Sequence, residues 1–146
     1  MAPLESPSPN KNYQLVSKAT GFALGVRWEE GDSWDLPDGR LVVPSRTGDI
    51  WAIKAADIGY LIFLRCAPNQ VLDSNAARQA YILTRNKGNY QKWRIFSDGE
   101  GYWQLVNVAT GLALDGTDQY IYTLEPNDGA YQRWLFAETS RVSGQP

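Results

Sequence analysis

Histidine is absent from this 146-residue chain, which removes the commonest general base, the commonest metal ligand and the usual switch near neutral pH together. Neither a metal site nor a cofactor is expected. Cysteine occurs once, as Cys66, so an intramolecular disulfide is excluded and the thiol reads as structurally ordinary. No apolar run approaches the ~20 residues of a membrane-spanning helix. The opening Met1-Ala-Pro-Leu-Glu-Ser-Pro-Ser-Pro-Asn10 has neither the basic nor the apolar segment of a secretory signal. A cytoplasmic location is expected, without membrane insertion and with release by a non-classical route left open. Basic residues number 14 against 16 acidic ones and form no stripe that would neutralise phosphates, so nucleic acid is not an expected partner. A chain of this length buries roughly two-thirds of its unfolded surface and can form one domain without staples.

What the chain does have is repetition. Asn12-Tyr-Gln-Leu-Val-Ser-Lys-Ala-Thr-Gly-Phe-Ala-Leu-Gly25, Tyr60-Leu-Ile-Phe-Leu-Arg-Cys-Ala-Pro-Asn-Gln-Val-Leu-Asp73 and Tyr102-Trp-Gln-Leu-Val-Asn-Val-Ala-Thr-Gly-Leu-Ala-Leu-Asp115 align without a gap. Each unit closes on a Trp two residues after an amide or acid: Asp49-Ile50-Trp51, Gln91-Lys92-Trp93 and Gln132-Arg133-Trp134. A unit of this size cannot bury its own apolar face and must share a core with its copies. The units read as 12–57, 58–99 and 100–139, with a Pro- and Ser-rich flexible or extended arm at 1–11 and a tail at 140–146.

Short apolar runs such as Tyr13–Val16, Ile50–Ile53, Tyr81–Leu83 and Trp134–Phe136 are rich in β-branched and aromatic residues and are punctuated by Gly, Pro, Asn and Asp. This pattern predicts an all-β chain of four strands per repeat, with turns at Ala19-Thr-Gly21, Ser97-Asp-Gly-Glu-Gly101 and Ala109-Thr-Gly111. Leu15, Phe63 and Leu105, with Leu24, Leu72 and Leu114, are the expected aliphatic layers. The first repeat carries an insertion within 26–39, a loop holding Trp28 and Trp34. Its aromatics either contact a ligand or fold back as a plug over the core.

A threefold all-β unit with Gln-x-Trp closing each repeat and a Gly-Leu-Ala-Leu-Asp segment near its start resembles the ricin B-chain type β-trefoil lectins. Its size and lack of disulfides look like the cytosolic lectins of mushroom fruiting bodies. The resemblance covers 12–139 and is fullest in the second and third repeats. The first has Gly25 at the Asp position and Asp49 at the Gln position. It implies a β-trefoil with pseudo-threefold symmetry whose Trp51, Trp93 and Trp134 belong to the core and whose Gln amides satisfy nearby backbone groups.

A monosaccharide presents hydroxyls that both donate and accept, and a face of C–H groups. Its receptor needs a carboxylate, an amide and an aromatic ring. By the resemblance, Asp73 accepts from sugar hydroxyls, Tyr81 stacks on the ring, and Asn86 or Asn89 supplies the amide. The third repeat offers Asp115, Tyr122 and Asn127, with Tyr120 and Asp128 close in sequence. Many relatives place Asn directly before the Gln of Gln-x-Trp. Here Tyr90 and Tyr131 stand there, and they join the candidate set. A weaker third site would use Gly25's position, Trp34 for stacking, and Asp32, Asp35 or Ser45 for hydroxyls. The resemblance further implies galactose or N-acetylgalactosamine on glycoproteins or glycolipids as ligand, and a homodimer with the inserted loop as a contact surface.

One carboxylate per repeat, spread around a threefold scaffold, suits multivalent binding and not the two converging carboxylates of a glycosidase. No enzymatic activity is expected. The competing reading is a β-trefoil protease inhibitor acting through an exposed loop such as 26–39, since one fold hosts unrelated functions.

Overall fold

The computed structural model describes residues 7–33 and 36–139. Twelve strands follow in chain order, four per repeat as expected. The first repeat holds β1 (Tyr13–Ser17), β2 (Ala23–Val26), β3 (Val42–Ser45) and β4 (Trp51–Ala55). The second holds β5 (Tyr60–Leu64), β6 (Ala67–Ser74), β7 (Ala80–Thr84) and β8 (Trp93–Ser97), and the third β9 (Trp103–Asn107), β10 (Ala113–Gly116), β11 (Ile121–Leu124) and β12 (Trp134–Glu138). Short 3-10 turns at Asn89–Gln91 and Ala130–Gln132 lead into β8 and β12.

Six strands close a barrel. Full antiparallel ladders join β4 to β5, β8 to β9 and, across the whole chain, β12 to β1, where Leu15 faces Phe136. Single pairs complete the ring: Tyr13 with Trp51, Tyr60 with Trp93, and Trp103 with Trp134. Closure removes the exposed sheet edges that would otherwise invite pairing with other chains. The remaining hairpins, β2–β3, β6–β7 and β10–β11, are tied to one another by bridges from Leu41 to Tyr81 and from Gln79 to Tyr122. The arrangement is a β-trefoil.

The three closing tryptophans are fully buried. Each indole N–H donates to a leucine carbonyl in the hairpin of its own repeat, Trp51 to Leu24, Trp93 to Leu72 and Trp134 to Leu114, every time at 3.0 Å. A buried indole therefore keeps its one polar atom satisfied while its ring fills the barrel. The turns at Ala19-Thr20-Gly21 and Ala109-Thr110-Gly111 are superimposable in their bonding. Gly21 and Gly111, at φ +76° and +73°, donate to the carbonyls of Ser17 and Asn107 at 2.8 Å. This left-handed geometry is one that glycine adopts without strain.

The symmetry breaks in the second repeat. Trp51 faces Leu64, whereas Trp93 faces Asn107 and Trp134 faces Ser17. Leu64 is therefore the partner of Ser17 and Asn107, and Ile62, not Phe63, is the partner of Leu15 and Leu105. Ile62 is fully buried, and Phe63 is half-buried with the Arg85 guanidinium 5.1 Å over its ring. The gapless sequence alignment is thus off by one residue along β5. A β-bulge where the β5–β6 register shifts, between Phe63 and Leu64, takes up the extra residue before Leu72. Strand side chains alternate faces, so a one-residue offset moves Phe63 from the core to the outside.

The described part of the N-terminal arm is anchored. Pro7 is buried, the Ser8 N–H donates to the Tyr13 hydroxyl at 2.8 Å, and Lys11 pairs with Glu138 at 3.2 Å. Residues 1–6 and the tail 140–146 lie outside the described residues.

Candidate functional site

Two hairpins set up the same constellation. In β6–β7 Asp73 stands opposite Tyr81, and in β10–β11 Asp115 stands opposite Tyr122, so each carboxylate has a phenol as its cross-strand neighbour. The Gln of Gln-x-Trp lies beneath and latches the strand to the turn that follows. Gln91 donates to the Thr84 carbonyl at 2.9 Å and accepts from the Asn86 N–H at 2.9 Å. Gln132 repeats both bonds with Glu125 and Asn127 at 2.9 and 2.8 Å and also donates to Asp115 Oδ2 at 3.2 Å. Both Gln side chains are fully buried, and the latch answers the need of a buried amide for partners.

Asp73 and Asp115 are only 2 % and 4 % exposed. Burial raises the pKa of each carboxyl above the ordinary carboxylate range. Gln91, Tyr81 and the Ser74 N–H partly offset this for Asp73, and Gln132 does so for Asp115. Burial, then the charge of the facing aspartate, likewise raises the phenols of Tyr81 and Tyr122. A carboxylate taken out of water gains from every further hydroxyl that reaches it. None of the four carboxylate oxygens is among the described side-chain atoms that are sealed from solvent without a partner.

Two exposed rings frame these pairs. Tyr90 and Tyr131, each just before its Gln, are 47 % and 51 % exposed and lie close enough to Tyr81 and Tyr122 to influence their ionisation. The asparagine alternatives separate by geometry. Asn89 Oδ1 accepts from Lys92 Nζ at 3.0 Å, and the same ammonium reaches Asp57 at 2.7 Å. Asn86 is instead the equivalent of Asn127, and their Oδ1 atoms accept from the N–H of Gly88 and Gly129 at 2.8 and 2.7 Å. Each shapes its turn with the carbonyl end of its amide. Tyr120 is 65 % exposed at the hairpin tip, and Asp128 points to Arg133 at 3.5 Å.

The first repeat does not assemble the constellation. Gly25 faces Val43 where the other repeats pair Asp with Tyr, and a Cβ added at Gly25 would meet Ser45 Cβ at 2.9 Å. Ser45 Oγ accepts from the Gly48 N–H at 2.8 Å, a turn role. Asp49 takes the latch position, accepting from the Val26 N–H at 2.7 Å and from the Trp28 indole at 2.9 Å. Trp28 is therefore the plug, packed against the core. Asp32 is held by Arg40 at 2.6 Å. Trp34 and Asp35 lie outside the described residues.

The inserted loop is sewn down at its far end. Leu36 is buried, its carbonyl accepts from Gln70 at 3.1 Å, and Asp38 accepts from the N–H and hydroxyl of Thr84 at 2.8 and 2.7 Å. The Gly39 N–H and the Ile82 carbonyl are 2.8 Å apart. Sequence reasoning missed this docking, for which only the charge and turn propensity of Asp38 gave a signal. It also missed Gln104, which donates to Gln132 Oε1 at 2.9 Å and braces the third-repeat latch.

The profile of the ricin-type β-trefoil lectin domain-like family matches residues 31–122 and 89–144. A sequence comparison with curated proteins finds no match. Among solved structures, the designed threefold-symmetric protein ThreeFoil is similar over 88 % of this chain and 99 % of its own, with 26 % identity and a TM-score of 0.74. SeviL bound to asialo-GM1 saccharide is similar over 86 % of this chain and 94 % of its own, with 13 % identity and a TM-score of 0.64. A proteinase inhibitor from Coprinopsis cinerea is similar over 92 % of this chain and 100 % of its own, with 20 % identity and a TM-score of 0.69. At those identities the last two share the fold alone.

Proposed function

The chain belongs to the ricin-type β-trefoil lectin domain-like family, and from that premise we propose that it is a lectin with two equivalent sites, in the second and third repeats. The observation that carries this reading is the duplicated pair of a buried carboxylate opposite a tyrosine, Asp73 with Tyr81 and Asp115 with Tyr122. Sugar hydroxyls donate to the carboxylate, and the tyrosine rings, with Tyr90 and Tyr131, cover the C–H face. The free Nδ2 ends of Asn86 and Asn127 donate to a ring or hydroxyl oxygen.

By the family resemblance, galactose or N-acetylgalactosamine is the proposed monosaccharide, whose axial 4-hydroxyl leaves one ring face flat enough to stack on a phenol. The role is binding without a reaction, since the two carboxylates serve separate repeats. The test is a glycan array followed by elution from a glycan matrix. Galactose-type sugars should release the protein, Asp73→Asn and Asp115→Asn should each weaken retention, and the double variant should lose most of it. Full retention by the double variant would remove these residues from the site.

A further inference from the structure

Beside the third-repeat site lies a cleft of about 350 Å³ lined by Ala19, Thr20, Phe22, Thr117, Asp118 and Tyr131, at the low end of the roughly 300–1,000 Å³ of small-molecule sites. Its walls come from opposite ends of the chain. Thr117 and Asp118 continue directly from Asp115 and Gly116 at the end of β10. Tyr131 precedes Gln132, whose amide is 3.2 Å from the Asp115 carboxylate. Ala19, Thr20 and Phe22 belong to the first-repeat turn, which barrel closure brings alongside through the Lys18 N–H to Arg133 carbonyl bond at 2.9 Å.

Both walls are held before any ligand arrives. Thr20 Oγ1 accepts from the Phe22 N–H at 3.1 Å. Thr117 Oγ1 accepts from the N–H groups of Gln119 and Tyr120 at 3.1 and 2.9 Å. Preorganised walls spare a ligand the cost of ordering loops. The lining repeats the chemistry a pyranose requires, with aromatic faces on Phe22 and Tyr131, hydroxyls on two threonines and the carboxylate of Asp118.

We propose that this cleft is a second subsite, which takes an uncharged sugar residue linked to the one seated on Asp115 and Tyr122. The inference rests on the lectin reading of that site. Asp118 is the one charged side chain among the described residues that line the cleft; it accepts from neutral hydroxyls and repels a uronic or sialic carboxylate, with the Arg46 guanidinium outside the lining, 5.4 Å from the Phe22 ring centroid. At the second-repeat site, counting on from Asp73 gives Ala76 where Asp115 gives Asp118, and the third-repeat turn supplies Leu112 where the first-repeat turn supplies Phe22. Recognition of the longer glycan therefore belongs to one site of the two.

The experiment is an amide NMR titration of the wild type with methyl β-galactoside, with a neutral galactose-terminated disaccharide, and with a disaccharide whose second residue is a uronic acid. All three should shift the amides around Asp115 and Tyr122. The neutral disaccharide alone should also shift Ala19 to Phe22 and bind this site about tenfold tighter, a factor equal to 1.4 kcal/mol. Phe22→Ala should return the neutral disaccharide to the monosaccharide level, with spectral dispersion reporting that the variant is folded. Asp118→Ala, at an exposed position, should reduce the neutral gain and improve the acidic disaccharide. If the monosaccharide binds but the neutral disaccharide gains nothing, or the acidic one gains as much, the subsite is overturned and the lectin reading stands. If no sugar shifts the Asp115 region, both fall.

Discussion

At the scale of single residues, the proposed site turns on two aspartates that the fold buries opposite tyrosines. The pKa of each is raised, with burial the leading cause. Between the ordinary value of 3.8 and the raised folded value, the native state binds more protons than the unfolded chain. These two groups therefore lower stability as pH rises through that window. Asp73→Asn with Asp115→Asn should remove that slope and leave the melting temperature at pH 7 unchanged or higher while abolishing glycan retention. Thermal melts across pH check the first part, and a clear loss of stability at pH 7 would show the carboxylates to be structural. If the ionised aspartates accept from the sugar as proposed, binding should fade on acidification with a midpoint above 3.8, measurable by titrating the monosaccharide at a series of pH values. The types and places of these residues were legible in the sequence. Their burial was not, because burial is set by distant chain segments.

At the scale of elements, β5 shows how far a repeat pattern can be read. The aligned text puts Phe63 in the aliphatic layer, and the strand register puts Ile62 there. Ile62→Ala should cost about 2–5 kcal/mol of stability, and Phe63→Ala less than half as much, in denaturant melts of the two variants. The reverse order would restore the gapless alignment. The bulge was hidden because one extra residue in β5–β6 is offset within the same segment, leaving the text in phase at Leu72. Hydrogen-bond pairing between strands exposes it, and no local propensity does. The hairpin turns were readable for the opposite reason. Gly21 and Gly111 satisfy their geometry through bonds to residues only four positions away.

For the molecule as a whole, the two proposed sites would share one barrel, and avidity is then the expected mode. On a dense glycan surface, Asp73→Asn or Asp115→Asn alone should reduce apparent affinity by about 100-fold or more. The affinity of the remaining site for free monosaccharide should stay within about twofold, since distant sites act independently. Surface plasmon resonance beside calorimetry separates the two, and equal losses in both assays would argue against multivalency. The repeats also communicate through an ion pair between hairpins. Arg78 bonds the Glu125 carboxylate with both guanidinium nitrogens, at 2.8 Å for one of them, and holds its pKa at about 2 against an ordinary 4.5. That stabilisation is present above 4.5 and is lost as pH falls toward 2. Glu125→Gln should flatten this stretch of the acid-stability profile by lowering the plateau above pH 4.5 and leaving the low-pH end unchanged, a small step because solvent screens so exposed a pair.

By itself, the sequence determined the parts that repeat. A threefold pattern implies a shared core, and the family resemblance carried by Gln-x-Trp implies the trefoil barrel, the buried rings and their amide partners. These are properties of a repeated motif, present in the text of the chain. Only the tertiary structure decided which repeats hold a carboxylate opposite a tyrosine, that Trp28 closes the first repeat, that Asn86 and not Asn89 matches Asn127, and that Phe22 stands across a cleft from Tyr131. Each of those depends on which face a strand turns inward and on which distant turn packs beside it. Such facts are fixed by register and barrel closure, where contacts join residues more than a hundred positions apart.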